Sequence, residues 1–218
     1  MFIGHFAVAF AAKRAAPEVS LGTLFLAAQL ADLVWPTLVL LGVESFAIRP
    51  GITAVTPLDF TRYPYSHSLV ALAGWGLALG ALHFLSRRRL AAAAVLVLVV
   101  LSHWLLDVVS HRPDMPVTIG GAERLGLGLW NSVPATVAVE GALFAVCVWI
   151  YARTTRPVDR VGRWSFLALI MFLGLVYVGN IFGPPPPSVA AVAWTAQAIW
   201  LLVAWGYWID RHRAASRN

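Results

Sequence analysis

His103, Asp107 and His111 stand four residues apart in "LSHWLLDVVSH", an otherwise apolar stretch at residues 101–111. On an α-helix that spacing rotates the side chains by only about 40° per step, so all three share one face. Imidazole and carboxylate without thiolate are the donor set of zinc, manganese or iron sites. An H-x3-D pair puts two such donors on adjacent turns, where one ion can bridge them. More ionisable groups occupy apolar surroundings elsewhere: His5, Asp32, His67 in "YPYSHSL", and Glu140.

The elements that must position them are membrane spans. Of the 218 residues, 60% are hydrophobic and 12% charged. A soluble domain carries about a quarter charged residues. Six stretches are long and apolar enough to cross a bilayer: about 21–43, 66–85, 90–110, 133–152, 164–183 and 189–209. The run 2–12 is too short to cross and reads as a half-helix that dips in or lies at the interface. It has no positive segment before its apolar part, unlike a cleaved signal peptide. The expected fold is therefore an all-α integral membrane protein, a single domain over 1–218, built as a bundle of about six transmembrane helices plus a short N-terminal half-helix.

Alternation of sides sorts the charges. One side collects Lys13, Arg14, Arg87, Arg88, Arg89, Arg153, Arg156, Arg160, Arg163, Arg211, Arg213 and Arg217. The other has Arg49, Arg62, Arg112 and Arg124, with Glu44, Asp59, Asp114 and Glu123. The positive-inside rule makes the first side cytoplasmic, with both termini inside a bacterial-type cytoplasmic membrane. The net charge of +6 is thus a topology signal, and nucleic acid is not an expected partner. The outer loops 44–65 and 111–132 are long enough to be functional caps. Consecutive prolines in "GPPPP" make a tight outer connection. Trp130, Trp164, Trp205 and Trp208 sit near span ends as interface anchors. Cys147 reads as a small buried hydrophobe, His83 as an interface histidine and His212 as a solvated one.

Depth narrows the reading. A charge near the bilayer centre costs at least ~2.5 kcal/mol, so each buried acid needs a partner. At about 1.5 Å per residue, His103 and Asp107 lie roughly 5–10 Å below the outer end of their helix. His67 and Glu140 are near the outer ends of theirs, Asp32 is deeper, and His5 is about 12 Å above the inner edge. All six can meet in one pocket between the midplane and the outer surface.

Four of these segments, in this order, resemble the YdjM-type membrane-bound metal-dependent hydrolases, a bacterial family. The segments are "GH" at 4–5, Asp32 after its apolar approach, "YSHSL" at 65–69 and "LSHWLLD" at 101–107. The likeness covers residues 1 to about 115. It implies metal binding by His5, Asp32, His67, His103 and Asp107, and hydrolytic chemistry. The family is distantly similar to zinc-dependent phospholipase C and nuclease proteins, which implies phosphoester substrates. The family's Pro-Asp-x-Asp element is "LADLV" here, with Val34 in place of its second acid. "VVSHRPDMP" replaces the usual Thr-Pro continuation, and for the missing second acid His111, Asp114 or Glu140 would have to compensate.

The expected function is a hydrolase with a divalent ion, zinc first and manganese or iron next, acting on a lipid or lipid-linked phosphoester. Asp107 or Glu140 is the expected catalytic base, His111 a further ligand, and Arg62 and Arg112 a phosphate clamp. Three other readings use the same residues: a divalent metal-ion transporter, a non-catalytic protein with a structural His–Asp network, and haem ligation. The lack of an internal repeat and of acids in the inner half speaks against transport.

Overall fold

The computed structural model describes residues 1–216; Arg217 lies outside the described residues. Ten helices account for the bundle: α1 (Phe2–Ala15), α2 (Leu21–Ala28), α3 (Leu30–Leu40), α4 (Pro64–His67), α5 (Leu69–Arg87), α6 (Leu90–Ser110), α7 (Val133–Thr154), α8 (Arg160–Phe182), α9 (Val189–Ala196) and α10 (Ile199–Arg211). Five stretches are long and apolar enough to cross a membrane as they stand, α9 and α10 counting together. The bent pair α2–α3 makes a sixth.

Three expectations about helix ends are corrected. The first span is not one rod: it bends by 55° at Gln29 and ends at Leu40. His67 does not open the second span. It closes the single turn α4, and Ser68 then caps α5 by accepting the Ala71 N–H. The fifth span begins at Arg160, where Asp159 accepts the Gly162 N–H at 2.9 Å.

The N-terminal half-helix is longer than expected and does not lie at the interface. Fourteen residues of α1 give about 21 Å, too short to cross. Its apolar residues are instead enclosed by α2, α6 and α7, with Phe6, Ala7, Ala9 and Phe10 fully buried. A helix that is apolar on nearly every side belongs inside a bundle rather than on its rim.

Packing of α2 on α10 depends on glycine. A Cβ on Gly22 would lie 2.3 Å from the Tyr207 ring and 2.7 Å from its backbone nitrogen, and Gly206 faces Gly22 across the same crossing. Small residues let membrane helices approach backbone to backbone, where dispersion replaces the missing hydrophobic drive. Gly22→Ala is expected to cost about 1–3 kcal/mol by overpacking, seen as a lower midpoint of thermal unfolding in detergent. An unchanged midpoint would mean the crossing tolerates expansion. Gly76 and Gly80 serve α5 and α6 similarly: a Cβ on Gly80 would meet Val97 at 2.7 Å.

The two ends of the bundle differ as the loop charges require. At one end Lys13 pairs with Asp210 at 2.7 Å, and strand β5 (Thr155–Pro157) pairs antiparallel with β6 (Arg213–Ala215). Arg213, folded under that ribbon, donates to Thr155 Oγ1, Thr155 O and Gly162 O. At the other end, β1 (Ser45–Ile48) and β2 (Leu58–Arg62) form a hairpin, and β3 (Met115–Pro116) pairs with β4 (Arg124–Leu125). Loops 44–65 and 111–132 join where the Ala54 and Val55 N–H groups donate to Trp130 O. Trp164 and Trp208 are exposed, as interface anchors would be. Trp205 is turned inward and donates to Ser165 Oγ.

Candidate metal centre

Four separate stretches of chain bring the ionisable side chains together just beneath the hairpin. Asp32 arrives on α3, directly after the bend. His67 comes from α4, His103 and Asp107 from α6, and His5 from α1. His5, His67, His103 and Asp107 are each at most 3% exposed, whereas the Asp32 side chain is 28% exposed. The pocket therefore opens on the Asp32 side. That residue is about 12 Å along α3 from its outer end.

The donor atoms face one another. His67 Nε2 is 3.4 Å from Asp32 Oδ1 and 4.0 Å from Asp107 Oδ2. His103 Nε2 is 3.9 Å from Asp32 Oδ1 and 3.2 Å from Asp107 Oδ2. Donors held about 2.0–2.1 Å from one tetrahedral ion stand about 3.3–3.4 Å apart. Two sets have ligand atoms all within 4.8 Å of one another: Asp32, His67 and His103, and His5, His103 and Asp107. His103 belongs to both.

The backs of the imidazoles are also fixed. His103 Nδ1–H donates to Ala28 O at 2.8 Å, so in the neutral ring Nε2 carries the lone pair; that atom is buried and faces Asp107 Oδ2 at 3.2 Å without a hydrogen bond. A buried polar atom without a partner is unusual, and metal ligation is one way to satisfy it. The Ala28 carbonyl is available because the helix breaks at the next residue. His5 stacks flat on His103, with ring centroids 3.6 Å apart, and reaches Asp107 Oδ1 at 3.0 Å. Met1 N also contacts Asp107, as well as Ser110 Oγ at 3.2 Å. Asp107 thus turns Oδ1 toward His5 and Oδ2 toward His103. With imidazole and carboxylate donors converging on a buried gap, the residues present fit a borderline divalent ion.

The other sequence candidates take different places. His111 falls outside both sets: its Nε2 is 4.0 Å from Asp107 Oδ1, while its Nδ1 contacts Asp114 Oδ1 at 2.9 Å. Glu140 is buried on α7, also outside both sets, and its Oε2 has no partner. Arg112 is bound to acids, through Nε to Asp114 at 3.1 Å and through Nη2 to Asp59. Arg62 is exposed at the end of the hairpin and makes no ion pair among the described residues. His83 and His212 stay away from the site; His212 contacts Asp159 at 2.6 Å.

An aromatic roof closes the outer side. Phe46 and Phe60 from the hairpin pack on Trp35, and His111 lies between Phe60 and Trp130 at 4.9 and 4.4 Å. Tyr63 donates to Asp114 Oδ1, and burial pushes its phenol well above the ordinary range, with Asp114 adding to the effect. The phenol therefore remains a donor at physiological pH. Below the site an aromatic plug of Phe6, Phe10, Phe25, Tyr151 and Phe166 fills the centre of the bundle.

The sequence alone did not single out Glu44 or Gln29, and marked Ser66 only as part of "YSHSL", with no role of its own. Glu44 is buried and tied to Ser66, and Gln29 is buried at the bend with both amide atoms unpartnered. An acid in a loop and a serine beside a histidine are too common to stand out.

No protein-family model, no curated protein and no solved structure matches this chain.

Proposed function

We propose that this protein is a membrane-embedded metal-dependent hydrolase of the YdjM type, acting on a lipid or lipid-linked phosphoester. One observation carries the reading: in a buried pocket, each of two imidazole Nε2 atoms stands 3.2–4.0 Å from an oxygen of each of two carboxylates. His67, His103, Asp32 and Asp107 would hold the ion, with zinc the first candidate, and His5 would back Asp107. A bound divalent ion supplies an acidified water and polarises a phosphoryl oxygen.

The chain's own groups divide the remaining work. Asp107 has both oxygens engaged by histidines, whereas Glu140 keeps Oε2 free, so Glu140 is the better proton acceptor. Arg112 is neutralised by Asp59 and Asp114, so of the two expected clamp arginines Arg62 is the one without an acidic partner among the described residues. The opening at Asp32 lies within the depth of the span, which suits a substrate arriving from the lipid. The aromatic roof excludes bulk water from above. The basic end of the bundle faces the cytoplasm of a bacterial-type membrane under this reading.

The plug of five aromatic side chains beneath the site favours hydrolysis over ion transport, because tightly packed rings stand where a cation would have to pass. The test is metal content of the detergent-purified protein by mass spectrometry, followed by a screen of lipid phosphoesters. Stoichiometric metal with phosphoester cleavage supports the proposal. Metal without cleavage but with cation uptake into proteoliposomes would replace it by transport, and a metal-free protein would leave a structural network. Glu140→Gln is expected to retain the metal and lower kcat about 10²–10⁴-fold. Equal loss of metal and rate would instead make Glu140 part of the metal-binding set.

A further inference from the structure

We infer that Glu44 is a positioning residue for the metal centre, acting through Ser66 to fix which nitrogen of His67 carries the proton. This rests on the metal-binding reading above but concerns residues that lie outside the donor set.

The chain of contacts is short and buried. Glu44 leaves the first span four residues after α3 ends and is 2% exposed. Its Oε1 accepts the backbone N–H groups of Tyr65 and Ser66 at 2.8 and 3.0 Å. Its Oε2 accepts the Ser66 hydroxyl at 2.6 Å, and Ser66 Oγ is 2.7 Å from His67 Nδ1. Glu44 is therefore an acceptor at each contact, as an ionised carboxylate must be. Serine has one hydroxyl proton. Once it is given to Glu44, Ser66 can only accept from His67, so the imidazole proton sits on Nδ1. The lone pair is then on Nε2, the atom that faces Asp32 and Asp107 at 3.4 and 4.0 Å. This is the carboxylate-to-histidine support of metal sites, extended by one hydroxyl. His103 reaches the same tautomer through the Ala28 carbonyl, so both rings present Nε2 to the gap.

The second function of Glu44 makes the test clean. Its Oε1 caps the turn α4, and glutamine can keep that role with its carbonyl oxygen. The glutamine amide would then point an N–H donor at Ser66 in place of an acceptor. Of the two acceptors left to the hydroxyl, His67 Nδ1 at 2.7 Å is nearer than Tyr63 O at 3.5 Å, so its proton turns to the imidazole, which moves the ring proton to Nε2 and blocks ligation there. Glu44→Gln thus reverses the relay while preserving the shape of the turn.

The experiment uses the full-length protein labelled with nitrogen-15 at histidine. Metal-free samples at pH 8.5 are read by two-bond nitrogen–proton correlation, with the His67 signals assigned by their loss in His67→Gln. The parent is expected to show the Nδ1–H tautomer at His67, and Glu44→Gln the Nε2–H tautomer. Zinc titration against a chelating dye is expected to show affinity about 10–100-fold weaker in Glu44→Gln and in Ser66→Ala, with Ser66→Thr near the parent. An Nε2–H parent, or a Glu44→Gln protein with unchanged tautomer and zinc affinity, would overturn the relay. A parent that shows the Nδ1–H tautomer but takes up no zinc sinks the metal-centre reading and leaves the relay standing, so the two failures are distinguishable.

Discussion

If the His–Asp cluster holds the proposed ion, Asp107→Ala is expected to retain below a tenth of the parental metal content after purification. No other side chain of the site serves as many partners. Its Oδ1 contacts His5 at 3.0 Å and faces His111 at 4.0 Å, while its Oδ2 faces His103 at 3.2 Å and His67 at 4.0 Å. Its loss removes a donor and also a buried negative charge, leaving His5, His67 and His103 around the gap with Asp32 alone. Loss of an outer partner costs about 10–100-fold in metal affinity, and loss of a donor must exceed that. His103→Ala should behave alike, since that ring belongs to both donor sets. Asp32→Ala, at the open edge, should be milder. Mass spectrometry of the purified variants decides the order. Full metal retention in Asp107→Ala would refute the donor assignment, provided the variant unfolds at the parental temperature.

The second large effect lies at the opposite end. Arg213→Met is expected to destabilise the protein by about 3 kcal/mol, several times a typical surface substitution. The guanidinium of Arg213 donates to three oxygens, on Thr155 and Gly162, and covers the Phe166 and Tyr151 rings at 4.6 and 5.3 Å. Methionine fills part of the volume but leaves those acceptors unpaired in a buried place. Arg213→Lys should recover little, because a single ammonium cannot span the fork. Thermal unfolding in detergent measures both variants. Parental stability in Arg213→Met would mean that water satisfies the carbonyls.

The span count, the sorting of loops between two ends and the meeting of His5, Asp32, His67, His103 and Asp107 were all legible in the sequence. Each follows from one pressure, that a charge in hydrocarbon must have company or a boundary. The bend at Gln29 was hidden because "LAAQLAD" contains neither proline nor glycine; the carbonyl it frees, Ala28 O, is taken up by His103 Nδ1–H. Pro36, the visible breaker, stays inside α3. The tie of Arg112 to Asp59 and Asp114 was hidden too, since an arginine near acids in a loop gives no sign of which it will choose. The inward turn of α1 could not be read from its length, which suits an interface helix equally well. Only the packing partners, α2, α6 and α7, decide it.

The order in which the donors appear along the chain has a consequence for biosynthesis. His5 and Asp32 emerge first, then His67, and Asp107 follows 75 positions after Asp32. At roughly 5–20 residues per second, the first spans wait several seconds before α6 exists. During that interval Asp32 must enter the bilayer with no metal, no histidine from α6 and no aspartate to share an ion. The break at Gln29 puts it in the first turn of a separate eleven-residue helix, α3, which can stay nearer the surface than an unbroken span until α6 arrives. The same bend that frees the Ala28 carbonyl for His103 thus gives an unpaired acid a tolerable place to wait.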